Sequence, residues 1–170
     1  RGDWENSPDF CYWKKPLIEL KGKTLGIVGY GSIGRAVARI AKAYEMNVVI
    51  TSRTRPDDVD SNHWYSFQDI LPQADILSLH CPLTEANREF IDRDSLCKMK
   101  PGALLINTAR GGLINETDLA YALNNDIIGG AGLDVLSSEP PKADNPLLTA
   151  KNCIITPHIA WATAESRSRL

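Results

Sequence analysis

From Lys23 onward, short apolar runs alternate with stretches of helical spacing. Residues 24–30, Thr-Leu-Gly-Ile-Val-Gly-Tyr, read as a strand bounded by glycines, and Ile33, Val37, Ile40, Ala41 and Tyr44 then recur as one face of a helix. Further strands are expected at 47–51, 75–80, 103–107, 127–134 and 153–156, with helices around 67–71, 92–99 and 116–123. The last of these helices opens on Asn115-Glu-Thr-Asp118, a cap followed by acidic residues in the first turn. Strands that are apolar throughout and separated by helices imply a parallel sheet covered on both faces. The order of elements therefore predicts an α/β domain with a doubly wound parallel sheet. No internal repeat or low-complexity tract interrupts it.

The first twenty residues have a different character. Trp4, Phe10, Tyr12 and Trp13 lie there with Pro8 and Pro16, too aromatic for a flexible linker. Such a segment lies against something apolar, either the following domain or a second subunit. The chain is expected to divide into an aromatic-rich segment (1–21), a main α/β domain (22–160) and the start of a helix (161–170). At 170 residues, 43% hydrophobic and 24% charged, the composition is that of an ordinary globular domain. Nineteen basic against 21 acidic residues leave a net charge of −2, which argues against nucleic acid as a partner. No apolar run reaches the length of a membrane span. Cys11, Cys81, Cys97 and Cys153 are scattered without metal or disulfide spacing, so no metal is expected and a reducing, cytoplasmic setting is.

Gly29-Tyr30-Gly31-Ser32-Ile33-Gly34 fits G-x-G-x-x-G between a strand and a helix. In that setting the first glycine allows a tight turn, the second lets backbone approach a pyrophosphate, and the third packs helix on strand. The helix N-terminus adds free N–H groups and positive dipole, so a dinucleotide is the expected cofactor. An NAD site has a carboxylate about 20 residues beyond, for the ribose 2′-OH. This chain has Thr51-Ser52-Arg53-Thr54-Arg55 instead. A serine beside arginines accommodates a 2′-phosphate, so the cofactor is NAD(P), with NADP(H) favoured over NAD(H).

Together with Gly29–Gly34, four further segments carry a family likeness. They are Ser78-Leu-His-Cys-Pro-Leu-Thr84, Asn107-Thr-Ala-Arg-Gly-Gly112, Gly132-Leu-Asp-Val135 with Ser138-Glu-Pro140, and Thr156-Pro-His-Ile-Ala160. In this order they resemble the D-isomer-specific 2-hydroxyacid dehydrogenases, and Pro157-His-Ile-Ala-Trp161 resembles the glycerate dehydrogenase (hydroxypyruvate reductase) branch. The resemblance implies a Rossmann-like NAD(P)-binding domain. It also implies that the substrate domain is absent from this chain, leaving an excised fragment that binds nucleotide with little or no turnover.

The family's catalytic trio falls on Arg110, Glu139 and His158, and each role has a physical basis. A guanidinium can hold the carboxylate and ketone oxygens of a 2-oxoacid. An imidazole can protonate the carbonyl oxygen as hydride arrives. A carboxylate orients that imidazole and stabilises its charged form. Glu rather than Gln at 139 argues against the formate dehydrogenase relatives. The resemblance further implies Ser32 and Ile33 at the pyrophosphate, and Ser52 where NAD-dependent members have an acid, with Arg53 and Thr54 beside it. Cys81 and Pro82 would line the adenine side, Asn87 would lie near the ribose, and Thr108 and Ala109 near the nicotinamide. Asp134 would accept from the carboxamide. His63 is expected on a surface turn and His80 at a strand end. The predicted function is a reductase of small 2-oxoacids, hydroxypyruvate or glyoxylate, acting as a homodimer. A nucleotide-sensing protein of the co-repressor type is the alternative, and another Rossmann protein such as a methyltransferase a distant third.

Overall fold

Six of the apolar runs become strands: β1 (Thr24–Val28), β2 (Asn47–Thr51), β3 (Ile76–Leu79), β4 (Leu104–Asn107), β5 (Gly130–Leu133) and β6 (Cys153–Ile155). The structure is a computed structural model that describes residues 3–13 and 17–169. Pro16 and the outermost positions 1, 2 and 170 of the expected divisions lie outside the described residues. All strand pairs are parallel, in the order β2-β1-β3-β4-β5-β6. The expected strand at 127–134 shortens to β5 because the turn before it takes its backbone. Ile127 N–H donates back to Ala122 O at the end of α4, and bonding to the neighbouring strand begins only with Gly129 N–H on Ala103 O, beside the Leu104–Gly130 pair.

The helices are α1 (Ser32–Ala43), α2 (Phe67–Ile70), α3 (Arg93–Lys98), α4 (Glu116–Asn124) and α5 (Ala164–Arg169). Asn115 caps α4 as its sequence implies, accepting from Asp118 N–H at 3.0 Å. Asp92 and Ser95 form a reciprocal capping box on α3. Single 3₁₀ turns at Ser61–His63, Glu85–Asn87, Gly111–Leu113 and Pro146–Leu148 complete the set, and His63 is exposed on the first.

Two cores lie on opposite sides of the sheet. Leu25, Ile27, Val48 and Ile50 pack with Ala38 and Ala41 of α1 and with Val59. Val28, Val49, Leu77, Leu79, Leu105 and Leu133 pack on the other side with Ile70, Leu96, Leu119 and Leu123 of α2, α3 and α4. Right-handed crossovers explain the split. The step from β1 to β2 runs one way along the sheet and places α1 on one face. Every later step runs the opposite way and places its helix on the other face.

Two contacts refine the expectations. Among the described residues, no helix covers the α1 side of β4 to β6, where Leu104 is 38% and Ile154 72% exposed. Among the described residues the α1 face is thus covered over β1, β2 and the start of β3, where Ile76 packs on that core. The aromatic segment does not pack on the following domain either: Trp4, Phe10 and Trp13 are 68%, 89% and 66% exposed. Its internal order comes from local bonds such as Trp4 Nε1–H to Phe10 O at 3.0 Å.

Candidate active site

The glycine loop leaves β1 where the chain must pass the loop that follows β3. Gly29 has φ +93°, and a Cβ there would lie 2.6 Å from Cys81 N. Gly34 is buried in the first turn of α1, and its Cβ would lie 2.3 Å from Gly29 O. Both positions exclude side chains because backbone crosses backbone. Gly31 differs. It is the N-cap of α1 with no side-chain cap, and a Cβ there would meet nothing within 4 Å. Ser32 and Ile33 are exposed beside it. Open space over uncapped N–H groups at the end of a twelve-residue helix fits a diphosphate.

The turn after β2 is held from both ends. Ser52 Oγ donates to Thr54 O at 2.8 Å and accepts from the Trp64 indole N–H at 3.3 Å. Arg35 of α1 makes a two-point pair with Asp58, one contact at 2.9 Å, and lies 4.5 Å from the centre of the Tyr30 ring. That hydrogen-bonded guanidinium holds the Asp58 carboxyl below its ordinary value. Between the two anchors Arg53, Thr54 and Arg55 face solvent. The guanidiniums of Arg53 and Arg55 form no ion pair among the described residues.

The loop after β3 organises itself around Asn87. The Asn87 side chain donates to Pro82 O at 2.8 Å and accepts from Thr84 N–H at 2.7 Å. Cys81 is half-buried, and burial pushes its thiol up. His80, half-buried at the strand end as expected, has Nε2 2.9 Å from Ser78 Oγ; burial pushes its imidazole down.

The trio stands on three strand ends. Asn107, fully buried at the end of β4, accepts from Ala109 N–H at 3.0 Å and donates to Arg110 O at 2.9 Å. That clasp forms a turn with Thr108 and Arg110 outward and Ala109 half-buried. Arg110 donates to Ala109 O at 2.6 Å. Gly111 then runs against the loop after β5, where a Cβ would lie 2.0 Å from Leu136 O. Glu139 sits in that loop. Its Oε1 accepts from Leu136 N–H at 3.0 Å, and its Oε2 lies 2.7 Å from His158 Nδ1. The His158 bond outweighs burial and, with Leu136 N–H, holds the Glu139 carboxyl below the ordinary range. Glu116 at the start of α4 steadies the loop, accepting from Ser137 N–H at 2.7 Å and Asn145 Nδ2 at 2.9 Å. Arg110, Glu139 and His158 all line one cavity of about 210 Å³ with Leu83 and Val135. A larger, mostly apolar cavity of about 430 Å³ adjoins the Glu139–His158 pair, lined by Pro140, Pro141 and Ile155.

Asp134 is 5% exposed, and both its oxygens face the His158 loop, taking donors from Thr156, Ile159 and Ala160. Burial acts to raise its carboxyl, but these donors and His158 outweigh it and hold it low. Sequence reasoning missed Asn107 and Glu116 as supports. The one signal for Asn107 was a polar residue closing an apolar run, and Glu116 carried none beyond its place in a helix cap.

A family model described as D-isomer specific 2-hydroxyacid dehydrogenase, NAD binding domain, matches residues 1–160. The chain belongs to that family. It is 47% identical over 171 residues to the hydroxypyruvate reductase of Blautia hydrogenotrophica, covering 99% of this chain and 53% of the relative. It is 45% identical over 168 residues to the glycerate dehydrogenase of Methylorubrum extorquens, covering 98% and 52%. The solved structure of an acyclic imino acid reductase (Bsp5) in complex with NADPH and D-Arg superposes with a TM-score of 0.87 at 33% identity, covering 99% and 53%. The chain spans about half the length of the curated relatives it matches. The fold is thus the Rossmann-like, NAD-binding half of an oxidoreductase family, and these relatives lend no support to the co-repressor alternative. No helix among the described residues is long and apolar enough to cross a membrane.

Proposed function

We propose that this chain is the cofactor-binding part of an oxidoreductase that moves hydride between NAD(P)H and a small 2-oxoacid or D-2-hydroxyacid, with hydroxypyruvate or glyoxylate as substrate. The observation that carries the reading is the Glu139–His158 pair sharing one cavity with Arg110 at the carboxyl ends of the strands. When bound, the nicotinamide supplies the hydride. Arg110 grips the substrate carboxylate and carbonyl oxygen and fixes the ketone for attack. His158 gives its Nε2 proton to the carbonyl oxygen in reduction and takes the alcohol proton in oxidation. Glu139, ionised and bonded to Nδ1, orients the ring and stabilises its charged form.

We further propose NADP(H) over NAD(H), since the turn after β2 offers a serine and two guanidiniums without an ion-pair partner among the described residues, rather than a carboxylate. Thr108 and Ala109 would face the nicotinamide end, with Cys81, Pro82 and Asn87 along the adenine and ribose side. The exposed aromatic segment suits a homodimer contact, and sedimentation of a monomer at high concentration would remove that idea. Four free cysteines suit a reducing, cytoplasmic setting. By itself the 170-residue chain would bind nucleotide and turn substrate over poorly, because the side chains of His158 and Glu139 are 43% and 39% exposed to water.

The test has two arms. NADPH and NADH are titrated side by side into the chain, with tighter NADPH binding expected. Hydroxypyruvate and glyoxylate reduction is assayed in the active form of the protein and in Arg110→Met, where kcat/KM should fall by about a hundredfold to a thousandfold. Undiminished turnover in that variant would end the assignment of Arg110.

A further inference from the structure

We infer that Glu116 is a positioning residue, a carboxylate that ties the segment bearing Arg110 to the loop bearing Glu139 and so aims Glu139 at His158. The inference rests on the reading of Glu139 and His158 as a working pair, while the contacts behind it stand apart from any reaction.

Arg110 and Glu116 ride on one short, stiff piece of chain. Leu113 N–H donates to Arg110 O at 3.3 Å and Ile114 N–H to Gly111 O at 3.1 Å, which closes the turn after Arg110. Leu113 and Ile114 are buried. Ile91 N–H donates to Leu113 O at 3.1 Å and Asn115 N–H to Ile91 O at 2.9 Å, pinning the segment to the chain before α3. Asn115 then caps α4, so Glu116 enters the first helical turn with its backbone fixed.

The loop after β5 has no such frame of its own. Residues 137–144 are all exposed and lie outside every helix and strand. Its two ends both donate to the half-buried Glu116, Ser137 N–H to Oε1 at 2.7 Å and Asn145 Nδ2 to Oε2 at 2.9 Å. Asn145 is fixed in that orientation, because its Oδ1 accepts from the N–H of the buried Leu147 at 3.0 Å. The Ser137 bond bears directly on Glu139. Leu136 and Ser137 present consecutive N–H groups, the first to Glu139 Oε1 at 3.0 Å and the second to Glu116. With both peptides held, Glu139 anchors through Oε1 and leaves Oε2 for His158 Nδ1 at 2.7 Å. Gly111 closes the space behind them, since a Cβ there would overlap the Leu136 carbonyl. Without Glu116 the Ser137 peptide turns freely, and water competes for Leu136 N–H and for Glu139 alike.

The experiment uses the chain itself, Glu116→Ala, Glu116→Gln, and Glu116→Gln combined with Asn145→Asp. Two readouts are taken: amide exchange at Ser137, and the tautomer of the neutral His158 ring from the NMR shifts of its two nitrogens. Glu139 Oε2 against Nδ1 selects the Nδ1–H tautomer in the parent. In Glu116→Ala, Ser137 should exchange about tenfold to a hundredfold faster, and the ratio of Nδ1–H to Nε2–H forms should fall at least about fivefold. Glu116→Gln should show part of both effects. Its amide meets the Asn145 amide donor to donor, and Asn145 cannot turn over without stranding Leu147 N–H. The double variant reverses that bond, the new amide donating to the new carboxylate, and should bring both readouts to within about twofold of the parent. Asp92→Ala, which uncaps the neighbouring α3, controls for lost stability and should leave both readouts at parental values.

A parental tautomer ratio in Glu116→Ala would overturn the inference even if that variant melts early, since Glu116 would then only support the fold. So would a double variant no closer to the parent than Glu116→Gln, or a ratio that moves as far in Asp92→Ala as in Glu116→Ala. Should Glu116→Ala fail to fold, the single and double Gln variants decide, and parental readouts in Glu116→Gln overturn the inference. A parent chain already in the Nε2–H form would refute the Glu139–His158 pair itself, and the inference with it. Neither readout involves a 2-oxoacid, so a failed reductase assay leaves both standing.

Discussion

Gly31 and Gly34 are both required by the same phosphate-loop pattern, and alanine at each should fail in opposite ways. At Gly34 the added Cβ would sit 2.3 Å from Gly29 O and 3.3 Å from Ile27 Cγ2. Relief requires backbone to move by roughly 1 Å between β1 and α1, an overpacking cost of about 1–3 kcal/mol. For a chain of this length each kcal/mol shifts Tm by about 2–4 °C, so Gly34→Ala should unfold roughly 3–10 °C earlier. At Gly31 the Cβ meets nothing, and φ −81° with ψ −161° suits any residue. Gly31→Ala should therefore shift stability by less than about 1 kcal/mol, since restriction of the unfolded chain is opposed by the preference for glycine over alanine at an N-cap, and Tm should stay within about 3 °C. The same methyl would stand where a diphosphate approaches the uncapped helix end, so NADPH affinity should fall at least about tenfold. Thermal unfolding and NADPH titration of the two variants read all four outcomes. A Gly31→Ala chain that binds NADPH like its parent would refute the placement of the diphosphate, and one that melts early would show the glycine to be structural.

Ser52→Asp places a carboxylate where a 2′-phosphate would sit, and should lower the NADPH-to-NADH affinity ratio at least about tenfold; an unchanged ratio would remove the turn from cofactor choice. The Glu139 carboxyl is depressed in the folded chain by His158 and Leu136 N–H, so its stabilising effect is present above the ordinary Glu pKa of about 4.3 and is lost as pH falls through the folded value. Glu139→Gln should consequently show a shallower fall of Tm on acidification below about pH 5, and parallel pH curves would contradict this. Leu77→Ala, at a position with no exposure in the larger core, should cost about 2–5 kcal/mol in urea unfolding; a loss below about 1 kcal/mol would mean the site collapses around the gap.

The strands were legible because each is a run of apolar side chains that need cover on both sides, and five of the six lie within about two residues of the expected span. α1 was legible from its spacing and α4 from its cap. The four 3₁₀ turns were not, since three residues set no period and several are held by side chains such as Asn145 and Asp60. The outer bridge between Ile50 and Trp64 was invisible for the same reason. Trp64 nonetheless matters, because its indole anchors Ser52.

What the sequence determined by itself was chemistry at fixed spacing: a glycine loop between strand and helix, a turn without a carboxylate after β2, and an Arg, a Glu and a His each following an apolar run. Local backbone rules suffice for those, because strand, turn and helix start are set by neighbours in the chain. The meeting of Glu139 with His158, nineteen residues on, was decided only when β5 and β6 paired in register. The same pairing gave Asp134 its donors from Thr156, Ile159 and Ala160. That no helix among the described residues covers the α1 side of β4 to β6 was likewise settled by the handedness of the crossovers, a property of the assembled sheet that no single segment contains.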